Sequence, residues 1–199
     1  YLSEYAHQRI REISRLVIDI LAGIPSVIYG LWGVIVVVPF VKQAGTLYGV
    51  TTTGYSLLSG GIILAIMVAP VIISVTLEVL RTIPAEARES TLALGATRWE
   101  MVRHVLLRSS FHGIIAAVVL GFARAFGETI AVLMVVGNVP KLPASLFDPA
   151  YPLPALIANN YGEMMSIPLY DSALMLAALI LLVVVGGFSR RLSARSFAV

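Results

Sequence analysis

The chain has 199 residues, 58% hydrophobic and 13% charged; a soluble domain carries about 25% charged residues. Mean hydropathy is +0.91, and four apolar stretches each reach the roughly 20 helical residues that a bilayer crossing needs, which excludes a soluble enzyme, a disordered chain and a disulfide-rich secreted domain. With no cysteine there is no disulfide, thiol nucleophile or thiolate metal site, and the net charge of +3 comes with no aromatic-interleaved basic patch, so no nucleic-acid partner is expected.

The predicted elements are helices, because a backbone in hydrocarbon must satisfy its own hydrogen bonds. The continuous apolar runs also lack the alternation of a membrane β-barrel. The first stretch covers residues 16–40 and is interrupted by Gly23, Pro25, Gly30 and Gly33; Pro25 with its glycines is expected to kink or break it, either as a simple kink satisfied by neighbouring helices or as a re-entrant turn. The second covers residues 56–80 with Pro70 inside. The third, residues 111–137, contains Arg124 and Glu128. The fourth, residues 172–188, is apolar throughout. The expected fold class is therefore all-α, a polytopic integral membrane helix bundle forming one domain over 1–199.

Charge sets the expected orientation. Arg9, Arg11 and Arg15 precede the first span. Arg81, Arg88, Arg98, Arg103 and Arg108 lie between the second and third. Arg190, Arg191 and Arg195 follow the fourth. With four crossings all of these fall on one side, while the opposite loops hold only Lys42 and Lys141. The positive-inside rule makes the arginine-rich side, and both ends of the chain, cytoplasmic. The start, Tyr1, is neither a methionine nor the head of a signal peptide.

The cytoplasmic loop 81–108 reads RTIPAEARESTLALGATRWEMVRHVLLR. Pro84 suits a helix start. Gly95-Ala96-Thr97 reads as a turn, with Gly95 as a left-handed cap and Thr97 as the next N-cap. Glu100, three residues on, completes a capping box. The segment is expected to be a helical hairpin. Trp99 beside the turn serves either as an interfacial anchor or as part of a docking surface for a cytoplasmic protein.

Arg124 and Glu128 are the costliest residues in the chain, since an ionised side chain at the centre of a span costs at least about 2.5–3.5 kcal/mol on insertion scales. Four apart, they are expected on one helix face with Ala117 and Gly121. Arg before Glu is the weaker order for an internal pair. Two readings stand. In one, the pair neutralises itself and locks the bundle. In the other, Arg124 meets an anion on its path, its planar fork donating two parallel hydrogen bonds to an oxyanion, with Glu128 orienting or releasing it.

The external loop 138–171 is proline-rich and net negative, Lys141 standing against Asp148, Glu163 and Asp171, and a short helix is expected over 154–161.

Glu89-Ser90-Thr91, three residues, Gly95, nine residues and then Val105-Leu106-Leu107 resembles the Glu-Ala-Ala loop of ATP-binding-cassette importer permeases. The match departs at Ser90, Thr91 and Arg108, where that pattern has Ala, Ala and Pro. The resemblance implies that Glu86, Glu89, Gly95, Ala96, Thr97, Arg98 and Trp99 belong to a coupling element seated in a groove of an ATPase subunit. No Gly-x-x-x-x-Gly-Lys-Ser/Thr loop occurs in this sequence, so ATP and Mg would be bound by that partner, with no cofactor and no bond chemistry in this chain.

A narrower resemblance rests on Ile24-Pro25-Ser26-Val27-Ile28-Tyr29-Gly30-Leu31-Trp32-Gly33, on Arg124-Ala125-Phe126-Gly127-Glu128-Thr129, and on LFDPAYPLPALIANNYGE over residues 146–163. All three are similar to the permease subunits of the bacterial phosphate importer, more so to the first of its two permeases. The resemblance implies the MetI-like architecture of type I importers and two further spans ahead of Tyr1. It also implies a second permease, an ATPase dimer, an extracytoplasmic phosphate-binding protein and membrane lipid as partners, in the bacterial inner membrane. Arg124 and Glu128 are carried over as pathway residues, with Ser26 and Thr129 as additional polar groups. The rival expectations are a permease for sulfate or molybdate, an ATP-independent anion channel, a secondary transporter, or a membrane scaffold.

Overall fold

The computed structural model describes residues 4–162 and 168–196; Tyr1 and Glu163 lie outside them. Among the described residues the regular structure is helical. It comprises α1 Gln8–Gly23, α2 Ser26–Leu47, α3 Leu57–Arg81, α4 Ala85–Ala93, α5 Arg98–Gly127, α6 Ile130–Val135, α7 Leu153–Asn160 and α8 Pro168–Ser196. Helices α2, α3 and α5, with residues Leu169–Phe188 of α8, are long and apolar enough to cross a membrane.

Two expected spans are divided differently from their apolar stretches. Residues 16–40 do not form one kinked helix. The chain breaks after Gly23, and Pro25 is extended (φ −59°, ψ 140°) before α2 begins. Proline has no N–H to continue the ladder and drives its predecessor out of helical geometry. Pro39 falls inside α2, where its ring would crowd the carbonyl four residues earlier; a wider π-turn over Gly33–Val37 immediately precedes the segment that carries it. Helix α3, by contrast, runs through Pro70 without a break. The third stretch, 111–137, is the second correction. Helix α5 starts well upstream at Arg98, ends at Gly127, and resumes as the separate α6 only after Glu128 and Thr129.

The residues cluster into two compact units. One comprises Ile24–Val68 and Ala123–Phe188. Its core joins Tyr29, Val37, Val38 and Val41 of α2 with Ile63 and Met67 of α3 and Ala131 and Val135 of α6. The YGLWG run explains the closeness of this packing. A Cβ on Gly30 would press on Met134 and Ala131, and one on Gly33 on Val135 and Ile63; small residues let helix backbones approach.

The loop before α3 is pinned by buried hydroxyls. Ser59 donates to the carbonyl of Gly54 at 2.6 Å, and Ser56 donates to Ser59 at 3.4 Å. Gly54 itself has φ +89° and sits against the Val38 carbonyl, so only glycine fits. Residues 144–148 of the external segment are held by backbone bonds in the same region. The N–H groups of Leu57 and Leu58 donate to the carbonyls of Asp148 and Leu146, both at 2.9 Å. The Asp148 carboxylate accepts the N–H groups of Ala144 and Ser145, each at 2.9 Å. The short helix expected over 154–161 is α7, Leu153–Asn160.

The other unit comprises Tyr1–Gly23, Ala69–Phe122 and Ser189–Val199. In it α5 touches the C-terminal half of α3 closely enough that a Cβ on Gly113 would overlap Val79. Arg15 of α1 donates to Glu78 of α3 at 2.7 Å, and Arg81 approaches the same carboxylate at 3.6 Å. Arg88 of α4 points inward, donating to the Leu80 carbonyl at 2.8 Å and pairing with Glu4 at 3.3 Å.

Candidate functional site

The structure does not bring Arg124 and Glu128 together on one helix face. Arg124 sits in the last turn of α5, and Glu128 falls after that helix has ended. The Glu128 carboxylate turns forward instead and accepts the N–H of Ala131, in the first turn of α6, at 3.2 Å. No ion pair joins the two among the described residues, so the four-residue spacing, which would pair them on a continuous helix, is undone by the break at Gly127.

Arg124 is exposed on this chain and Glu128 half-buried. Tyr29, a buried residue of α2, lies within electrostatic range of Arg124. Glu128 is the charged group in a cavity of about 550 Å³ whose walls are otherwise apolar, among them Leu57, Gly60, Leu64, Phe126 and Leu181. Arg124, Ser26 and Thr129 are not among those walls. Ser26 opens α2 right after the extended Pro25. The Thr129 hydroxyl donates to the Gly127 carbonyl across the break, at 3.4 Å. The guanidinium and the carboxylate thus occupy different surroundings at one interruption of the backbone. Interrupted spanning helices are where transporters place polar sites, because non-helical backbone at membrane depth needs protein or water to satisfy it.

Tyr29 is the site neighbour that residue-by-residue reading passed over. The signal was its position in the YGLWG run, one residue before the Gly30 contact that seats α2 on α6.

The hairpin after α3 has the turn its sequence dictates. Helix α4 closes with Gly95 at φ +85°. The Gly95 N–H donates to the Leu92 carbonyl at 3.0 Å, and the Ala96 N–H to the Thr91 carbonyl at 3.4 Å, the paired bonds of a Schellman cap. Thr97 then caps α5. The Glu100 N–H donates to its hydroxyl at 3.3 Å, and the Thr97 N–H donates back to the Glu100 carboxylate at 2.8 Å. The second arm is not a separate surface helix. It is the start of α5 itself, continuous with the third span through a π-turn over Met101–Leu106.

Glu86, Glu89, Thr97 and Arg98 are exposed and Ala96 half-buried. Leu94 is 89% and Trp99 60% exposed, so two large apolar groups flank the turn with nothing of this chain over them. Arg88, counted in the sequence only as a charge, is the inward anchor of this hairpin.

The family model described as the binding-protein-dependent transport system inner membrane component matches residues 1–198. A probable ABC transporter permease protein YqgH of Bacillus subtilis is 44% identical over 163 residues, covering 82% of this chain and 52% of the relative. The phosphate transport system permease protein PstC of Xylella fastidiosa is 39% identical over 199 residues, covering 92% of this chain and 61% of the relative. A probable PstC of Methanocaldococcus jannaschii is 36% identical over 196 residues, with 92% and 62% covered. No solved structure gave a significant match.

The chain belongs to the binding-protein-dependent transport system inner membrane components. With four helices among the described residues able to cross a bilayer, it is a multi-pass inner-membrane protein with the all-α architecture of that family. It spans about half to three-fifths of the length of the curated relatives it matches.

Proposed function

We propose that this chain is permease-subunit sequence of an ATP-driven phosphate importer. The observation that carries the reading is the state of Arg124. Among the described residues no carboxylate pairs with this guanidinium, it stands at the interruption between α5 and α6, and the chain as a whole is 39% and 36% identical to relatives named phosphate permeases. An Arg stays charged at any physiological pH and offers a planar fork of donors that matches a tetrahedral oxyanion. With Glu128 engaged on the Ala131 N–H, the anion meets the arginine without displacing an internal partner. Ser26, Thr129 and Tyr29 supply further polar contacts beside it.

Energy enters at the hairpin. Glu86, Glu89, Gly95, Ala96, Thr97, Arg98 and Trp99 form the surface offered to a separate ATPase, which binds ATP and Mg. Because the turn feeds straight into α5, closure of an ATPase dimer beneath it would pull on the same helix that carries Arg124 and switch the pathway between inward- and outward-facing states. A second permease completes the pathway, and an extracytoplasmic phosphate-binding protein delivers substrate to the side bearing α7. The arginine-rich side, with both ends of the chain, is cytoplasmic.

The test is uptake of labelled phosphate by the reconstituted complex with ATP present and withheld, and with sulfate or molybdate as competitor. Phosphate uptake that requires ATP and is not displaced by the competitors is expected. Uptake indifferent to ATP would assign a channel or secondary transporter, and displacement by sulfate or molybdate would assign another oxyanion.

A further inference from the structure

Below α1 and the start of the hairpin lies a cavity of about 360 Å³ that the transport reading does not use. Four arginines from three helices line it: Arg11 and Arg15 of α1, Arg81 at the end of α3, and Arg88 of α4. Among the described residues no carboxylate lines it; the remaining lining is Leu77 and the short connection Thr82, Ile83, Pro84 and Ala85. Glu78, which holds both Arg15 and Arg81, and Glu4, which pairs with Arg88, do so from outside these walls.

Two further features give the cavity a polarity. Pro84 and Ala85 are the N-terminus of α4, which no side chain caps, and the first N–H groups of a helix are open donors at its positive end. The Nε of Arg88 is buried without an acceptor, although a buried donor normally finds one. Clustered guanidinium groups next to an uncapped helix start are the donor set that selects phosphate-type anions. The volume lies within the range of small-molecule sites and admits a phosphate group with a small ester substituent.

We infer that this cavity binds a phosphate-bearing anion, supplied either as the headgroup of an anionic phospholipid or as free phosphate, and that the bound anion ties α1 to the first helix of the hairpin. None of its lining residues is one assigned to the pathway, and the inference does not depend on what crosses the membrane, so binding is read directly and not through uptake.

The experiment uses the full-length subunit assembled with its partners in nanodiscs, in an Arg124→Gln background so that pathway binding does not mask the cavity. One arm measures equilibrium binding of radiolabelled inorganic phosphate in phosphatidylcholine discs. The other measures retention of phosphatidylglycerol by native mass spectrometry from mixed discs. Arg11→Gln with Arg81→Gln is expected to weaken binding in one arm by roughly tenfold or more, because charge-assisted hydrogen bonds are lost. Arg9→Gln, on α1 but outside the cavity walls, is expected to leave it unchanged. Loss in the phosphate arm assigns a soluble anion site, and loss in the lipid arm a headgroup site. If neither arm responds to the double variant, or Arg9→Gln responds equally, the inference is overturned. Where the double variant does not assemble, Arg81→Gln alone is read by the same criteria. A failure of the pathway reading appears separately, as phosphate binding that persists in the Arg124→Gln background and ignores Arg11 and Arg81.

Discussion

Gly95 offers the cleanest perturbation of the hairpin. Its φ is +85°, and a Cβ added there meets nothing within 4 Å. Gly95→Ala therefore changes the backbone cost alone, with no steric collision to confuse the result. A left-handed conformation costs an L-residue roughly 1–2 kcal/mol, which lowers the ratio of closed to frayed hairpin by roughly 5–30-fold. Hydrogen exchange of the amides at positions 95 and 96, which make the two capping bonds, reads that ratio directly. ATP hydrolysis coupled to uptake reads its consequence.

Asn tolerates the left-handed region better than Ala, so the expected order of protection and coupling is Gly, then Asn, then Ala. Gly61 supplies the control. It also has open space around a new Cβ, but it lies inside α3, where Gly→Ala should stabilise by about 0.5–1 kcal/mol. If Gly95→Ala matched Gly61→Ala in exchange protection, or if Gly95→Asn were worse than Gly95→Ala, the assignment of Gly95 as a conformational cap would be refuted.

Three further outcomes are expected. Gly113→Ala should cost about 1–3 kcal/mol of stability through overpacking, seen as a lower thermal midpoint in detergent, and Val79→Ala in the same chain should restore part of the loss, because the new methyl overlaps Val79; no recovery would mean that this helix contact is misassigned. Thr97→Ala removes the capping hydroxyl and should cost about 0.5–2 kcal/mol, seen as faster exchange at the Glu100 amide. Trp99→Ala, at a side chain 60% exposed, should leave the thermal midpoint of the isolated subunit unchanged. It should nevertheless weaken association with the ATPase by tenfold or more, as an aromatic anchor does; equal association by both forms would remove Trp99 from the docking surface.

The parts of the fold legible in the sequence were those set by local chemistry. The Gly95 cap and the Thr97–Glu100 box follow from the residues that make them, because each bond is closed within a few positions. The apolar stretches marked membrane helices, since length and composition alone decide that. Their ends were harder to read. Hydropathy does not see a break between two equally apolar segments, so residues 16–40 read as one span although Pro25 divides them, and residues 111–137 read as another although the ladder stops at Gly127. That second break also undid the expected shared helix face of Arg124 and Glu128, because helical spacing has meaning only where the helix continues.

Arg88 was opaque for a different reason. Its partners, Glu4 and the Leu80 carbonyl, depend on how the loop folds back, and charge counting treats every arginine alike. Gly30 and Gly33 were visible as interruptions, but the residues they admit, Met134, Ala131, Val135 and Ile63, belong to other helices and no spacing rule names them.

The central claim is that the guanidinium at the α5–α6 break takes the travelling anion. It is tested most directly by measuring phosphate uptake in proteoliposomes by the assembled complex carrying Arg124→Gln or Arg124→Lys, with ATP hydrolysis and subunit assembly followed in the same preparations. The account predicts intact assembly in both variants. Uptake should be lost with Gln and be only partial with Lys, which keeps the charge but not the planar fork. Wild-type rates of uptake in Arg124→Gln would contradict it.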